Sequence, residues 1–147
     1  MIKLAITSFA IAAAALAFGP GAARAQPAGN CIDVSIDSIM RDVSINGHVA
    51  ANMISPTSRV VVYVHTDQWY IHPYVGQGDG LSWASIDGNG RWTLQTVKRQ
   101  FSADQVAAFV VATGTPTPAF TNAPVVALRP LAQCVKVLRG QPNDGDL

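Results

Sequence analysis

The chain has 147 residues, ten basic and nine acidic, for a formal charge of +1, and 49% of its residues are hydrophobic. A balance this near neutrality gives no electrostatic case for nucleic acid or for an anionic membrane surface. All nine acids are aspartates, and a chain without glutamate lacks one of the commonest residues of helix surfaces, which points toward β structure.

Lys3 is followed by an uncharged apolar run over residues 4–18, a break at Gly19, Pro20 and Gly21, and the small residues Ala23 and Ala25 on either side of Arg24. This is the tripartite plan of a secretory signal peptide, predicted over residues 1–25 with cleavage after Ala25. The rival reading is an uncleaved anchor, but the run is shorter than the ~20 residues a membrane-spanning helix needs. Cys31 follows Asn30 and lies three residues after Ala28, so it does not match a lipid-attachment site. Removing Lys3 and Arg24 leaves eight basic and nine acidic residues, a charge of 8 − 9 = −1. The remaining residues are enough for one domain, predicted over 26–139, ahead of a polar, disordered tail over 140–147.

Cys31 and Cys134 stand near the two ends of that domain, in a chain whose leader directs it to a periplasmic or extracellular location where disulfides persist. A bridge between them is the expectation, and two separate buried thiols the alternative.

From Cys31 onward apolar residues recur with a period of two, the mark of strands with one buried face. Ile32, Val34 and Ile36 alternate with Asp33, Ser35 and Asp37, and Val43, Ile45, Gly47 and Val49 alternate with Ser44, Asn46 and His48. After a turn cluster at residues 55–58, residues 59–66 place Val60, Val62 and Val64 on one face and Val61, Tyr63 and His65 on the other, which predicts a central strand. The next strand, residues 69–74, sets Trp69 and Ile71 opposite Tyr70, His72 and Tyr74, and Pro73 puts it at an edge or ends it there. A flexible glycine-rich loop over 76–80 precedes a short strand over 81–86. Asp87, Gly88, Asn89 and Gly90 then form a compact turn, read as a hairpin into a strand over 91–97 carrying Trp92 and Leu94. Ser102 with Gln105 three residues later resembles a helical cap, predicting one turn of helix before an apolar strand over 106–112. A loop over 114–118 leads to two last strands, over 125–129 and 134–138. Seven to eight short strands with no helices between them predict an all-β, immunoglobulin-like antiparallel sandwich.

The valine run ending in Tyr63, then Asp67, Trp69, Tyr70 and Pro73, then Ile86, Asp87 and Gly88, then Trp92, and finally Ala107, Ala108, Phe109 and Val110 together resemble immunoglobulin-like or fibronectin-like modules of secreted bacterial proteins, most of them without assigned function. The resemblance covers about 50 residues of the domain predicted above. It implies a sandwich with Trp69 and Trp92 in its core and an accessory role without chemistry of its own. The chain departs from that pattern in standing without an enzyme domain and in carrying two cysteines at the domain ends.

Every tryptophan and tyrosine falls between Tyr63 and Trp92. Rings in a row either pack a core or stack on the apolar faces of sugars, and alternation makes Tyr70, His72 and Tyr74 the candidate exposed strip, with Trp83 from the next strand. His48, His65 and His72 match no metal-ligand spacing, even with His65 and His72 placed as neighbours across one hairpin, and Asp87 with Asn89 begins a calcium loop whose further ligands do not follow. No Gly-x-Ser-x-Gly occurs, and no pair of carboxylates has the pattern a glycosidase needs. The expectation is therefore a non-enzymatic module without metal or cofactor that binds a glycan or another extracytoplasmic polymer. The alternative is a structural or protein-interaction domain of the cell envelope.

Overall fold

The computed structural model describes residues 31–40, 42–97 and 102–138, so the predicted leader and the predicted tail both lie outside the described residues. Among the described residues nine strands form two antiparallel sheets. The smaller contains β1 (Ser38–Met40), β2 (Ser44–His48) and β6 (Arg91–Gln95), in that order. The larger is ordered β8 (Phe120–Thr121), β4 (Trp69–His72), β3 (Ser58–His65), β7 (Gln105–Ala112) and β9 (Ala132–Val137), and β5 (Ala84–Ser85) pairs with the start of β3. A short helix, α1 (Pro124–Leu128), and a single 3-10 turn (Ala51–Met53) complete the described secondary structure.

The period-two pattern determines how the sheets meet. Ile45, Val49, Trp92 and Leu94 project from the small sheet, and Val60, Val62 and Val64 of β3 with Val106, Ala108 and Val110 of β7 meet them from the large one. These buried side chains make one inter-sheet core. Val61, Tyr63, Phe109 and Val111 project from the other face of the large sheet, and they are buried as well, with Leu128 of α1. A loop crosses that face and is fastened to it. Arg59 Nη2 donates to the Thr115 carbonyl (3.0 Å), Tyr63 Oη to the Pro118 carbonyl (2.7 Å) and the Ile71 N–H to the Ala119 carbonyl (3.0 Å). Burial pushes the Tyr63 phenol well above its ordinary pKa, so it remains a donor. The apolar residues on both faces of β3 thus reflect a central strand covered twice, once by the small sheet and once by the loop and helix.

Cys31 and Cys134 are joined, with their Cα atoms 4.7 Å apart. The segment after Cys31 runs alongside β2, where Ser35 N–H donates to the His48 carbonyl and Asp37 N–H to the Asn46 carbonyl. The bridge therefore ties the small-sheet side of the sandwich to β9 of the large sheet.

Three sequence expectations are corrected. Residues 125–129 were expected to be a strand, but Pro124–Leu128 is helical: Pro124 and Leu128, four residues apart, turn inward together, which a helix permits. The expected helical turn at Ser102 does not form, because Asp104 N–H donates to the His65 carbonyl and the chain enters β7 directly. The turn at 87–90 forms as expected, with Asp87 Oδ1 accepting from the Asn89 and Arg91 N–H groups. Its flanking strands, however, belong to different sheets, β5 pairing with β3 and β6 with β2. The turn carries the chain from one layer to the other and does not close a hairpin within one sheet.

Candidate ligand-binding ledge

Register places the expected strip residue by residue. Val62 pairs with His72 and Val64 with Tyr70, so His72 and Tyr70 point to the inter-sheet side of β4, while Trp69 and Ile71 share the other face with His65 and Tyr63. That division of faces follows the predicted alternation. The predicted exposure does not: His72 is 1% exposed, its Nε2 lying 2.5 Å from Thr96 Oγ1 just past the end of β6. The correction has a simple cause, since the face opposite Trp69 is the one the small sheet covers. Tyr74, 37% exposed, follows Pro73 beyond the strand end. Trp83 packs on the opposite face of the large sheet, where the Arg59 guanidinium lies 4.5 Å from its ring centroid. Trp92 is core, and Trp69 is partly buried against the outer cluster beside the His65 ring, 5.0 Å away between centroids. Tyr70, His72, Tyr74 and Trp83 therefore do not form one surface.

The structure instead pairs Tyr70 with a residue fifty positions away. β8 lies against β4 in a register that sets Phe120 opposite Tyr70, with ring centroids 6.3 Å apart and planes tilted by 47°. Tyr70 is half-buried with its inner edge on the inter-sheet core, whereas Phe120 is 58% exposed. The Tyr70 hydroxyl is oriented, accepting from Gln68 Nε2 at 2.9 Å. Beside it, hydrogen bonds from the Thr66 hydroxyl, from the local backbone and from Tyr70 hold the Asp67 carboxyl below its ordinary pKa against a small opposing effect of burial. An aromatic pair open to solvent is thus bordered by an amide, a phenol and a carboxylate.

The three histidines are separated, and His65 and His72, which the sequence allowed as neighbours across a hairpin, point to opposite faces of the large sheet. His65 Nδ1 lies 2.7 Å from Asp104, and His48 Nδ1 lies 2.9 Å from Asp37 and 2.8 Å from Ser35 Oγ. Among the described residues no group of three or more His, Cys, Asp or Glu side chains is placed to hold a metal ion. Ser35, Asp37 and His48 have the composition of a hydrolytic triad but not its geometry. Ser35 donates to Asp37 at 2.6 Å, and hydroxyl and carboxylate meet the same ring nitrogen, so the imidazole does not stand between them to relay a proton. Burial raises the Asp37 pKa, but hydrogen bonds with His48 and Ser35 and the electrostatic influence of His48 and Lys136 outweigh it and hold the carboxyl below its ordinary value. The cluster fastens the segment after Cys31 to β2.

These features define an all-β sandwich clasped by a disulfide and carrying one open aromatic ledge; among the described residues no helix is long and apolar enough to cross a membrane. Comparisons with protein-family models, with curated proteins and with solved structures return no match.

Proposed function

We propose that the protein is an exported, non-enzymatic binding module of the immunoglobulin-like sandwich type that holds a glycan or similar extracytoplasmic polymer on the Tyr70–Phe120 ledge. The observation that carries this reading is the exposed Phe120 ring set beside a Tyr70 whose hydroxyl is oriented by Gln68. The apolar face of a pyranose stacks on such rings, and in this reading the Gln68 amide and Asp67 carboxylate beside them supply hydrogen-bonding groups for its hydroxyls. The disulfide accords with a periplasmic or extracellular location.

The test is retention on a panel of insoluble polysaccharides, followed by titration with oligosaccharides of whichever is retained. Phe120→Ala leaves the cores intact because the ring is exposed, and affinity is expected to fall about tenfold, equivalent to ~1.4 kcal/mol of lost stacking. Gln68→Ala should weaken binding without unfolding the protein. Retention on no glycan, or binding indifferent to Phe120→Ala, overturns the reading, and recovery of an envelope protein in its place would favour the structural or interaction role.

A further inference from the structure

A sandwich exposes four sheet edges, and three of these are short or obstructed. β8 has two residues and β1 three. On β6 the Val49 N–H donates to the Gly90 carbonyl, which fixes the phase of that ladder and turns the backbone of Arg91, Thr93 and Gln95 away from β2. Two of those three are already engaged, since the Arg91 carbonyl accepts from Asp87 and the Gln95 N–H donates to Gly80. β9 differs. Leu138 N–H donates to the Asp104 carbonyl, and counting back along the register turns the N–H and C=O groups of Cys134 and Lys136 toward β7 and those of Gln133, Val135 and Val137 outward. The register runs unbroken along all six residues, and the outward residues carry no charge. Among the described residues nothing pairs with this edge. Proteins ordinarily protect a sheet edge with charge, proline or a bulge, and along these six residues the one such device is Lys136, whose backbone faces β7.

We infer that β9 is a self-association edge on which a second copy of this chain pairs antiparallel, centred on Val135. The register is selected by two requirements. Centred on Val135, the pairing sets Gln133 opposite Val137 of the second copy and Val135 opposite its own counterpart, so all three outward residues of each copy exchange hydrogen bonds. Charge decides in the same direction, because centring on Lys136 would oppose two ammonium groups, whereas centring on Val135 sets Lys136 opposite Cys134 and leaves it within the field of Asp37. The contact is isologous and closes as a dimer, joining two six-stranded sheets into one. This inference does not depend on the ledge, which lies across the sheet on β4 and β8.

The experiment uses the exported, oxidised protein. Light scattering after size exclusion should give twice the chain mass, falling toward the single-chain mass on dilution. Gln133→Glu with Val137→Glu opposes carboxylates at both ends of the pairing and should give a monomer with an unchanged far-ultraviolet spectrum; Gln133→Lys with Val137→Lys should do the same. Mixing the two double variants should restore the dimer, a result that depends on residue 133 facing residue 137 of the other copy. If a variant fails to fold, hydrogen exchange of the wild type decides: the Gln133, Val135 and Val137 amides should exchange about tenfold more slowly at high than at low concentration. A monomer at every concentration, a dimer that survives both double variants, a mixture that stays monomeric, or concentration-independent exchange at those amides overturns the inference.

Discussion

Among the described glycines the tightest steric requirement falls on Gly47. It is the register partner of Trp92, and a Cβ built on it would meet the Ser35 carbonyl oxygen at 2.0 Å and the Trp92 ring at 2.5 Å. Both distances are far inside van der Waals contact, and one neighbour is backbone, so the strand or the indole must move. Gly47→Ala should therefore lower stability by about 1–3 kcal/mol, the usual range for overpacking a close-packed core. A control at Gly88, which has open space around it, should change stability far less, and similar urea midpoints for the two variants would show that the Gly47 site relaxes freely. The sequence placed Gly47 in the alternating pattern as a gap among apolar residues. It gave no sign of the reason, because the indole that fills the gap arrives from a strand more than forty residues away.

At the scale of elements, what was legible was local. Alternation located the major strands and the faces of β4, and the two ends of the domain drew attention to Cys31 and Cys134. What escaped was decided by partners distant in sequence. Residues 125–129 carry β-branched residues that favour a strand, yet the outer face of the large sheet needed a short cover, and burying Pro124 and Leu128 together selected a helix. The ledge was half visible: Tyr70 was a candidate from the start, but Phe120 sits in a two-residue strand whose only signal is its pairing with β4. The disulfide acts at this scale because it holds the segment beside β2 against β9 across a separation of 103 residues. In the chain-entropy account a closed loop of about that length contributes up to ~4.7 kcal/mol, with measured values commonly ~2–4 kcal/mol. Replacing both cysteines by serine is expected to lower the urea midpoint accordingly without changing the β-rich far-ultraviolet spectrum. A double variant as stable as the oxidised wild type would mean that the two sheets hold together without the clasp.

For the whole molecule, the uneven cover on the two sheets predicts an order of opening. β3 and β7 are central in the large sheet, paired along eight residues and buried on both faces, so their amides can reach water only when both the small sheet and the 115–128 cover are lost. β1 has three residues, none fully buried, and follows an edge of the small sheet into a turn where Asp42 takes a positive φ of 55°. Local opening there exposes little apolar surface and breaks few bonds, whereas opening β3 dismantles both cores. Native-state hydrogen exchange should accordingly find the slowest amides at Val60–Val64 positions and their partners in β7, exchanging with the free energy of global unfolding, and fast exchange throughout β1. Reducing the disulfide should raise exchange first beside Cys31 and along β9, since these are the segments it joins, and leave the ranking of β3 over β1 unchanged. If β1 proved as protected as β3, the two sheets would unfold as one cooperative unit, and the doubly covered sheet could not be the separate stability centre that its packing implies.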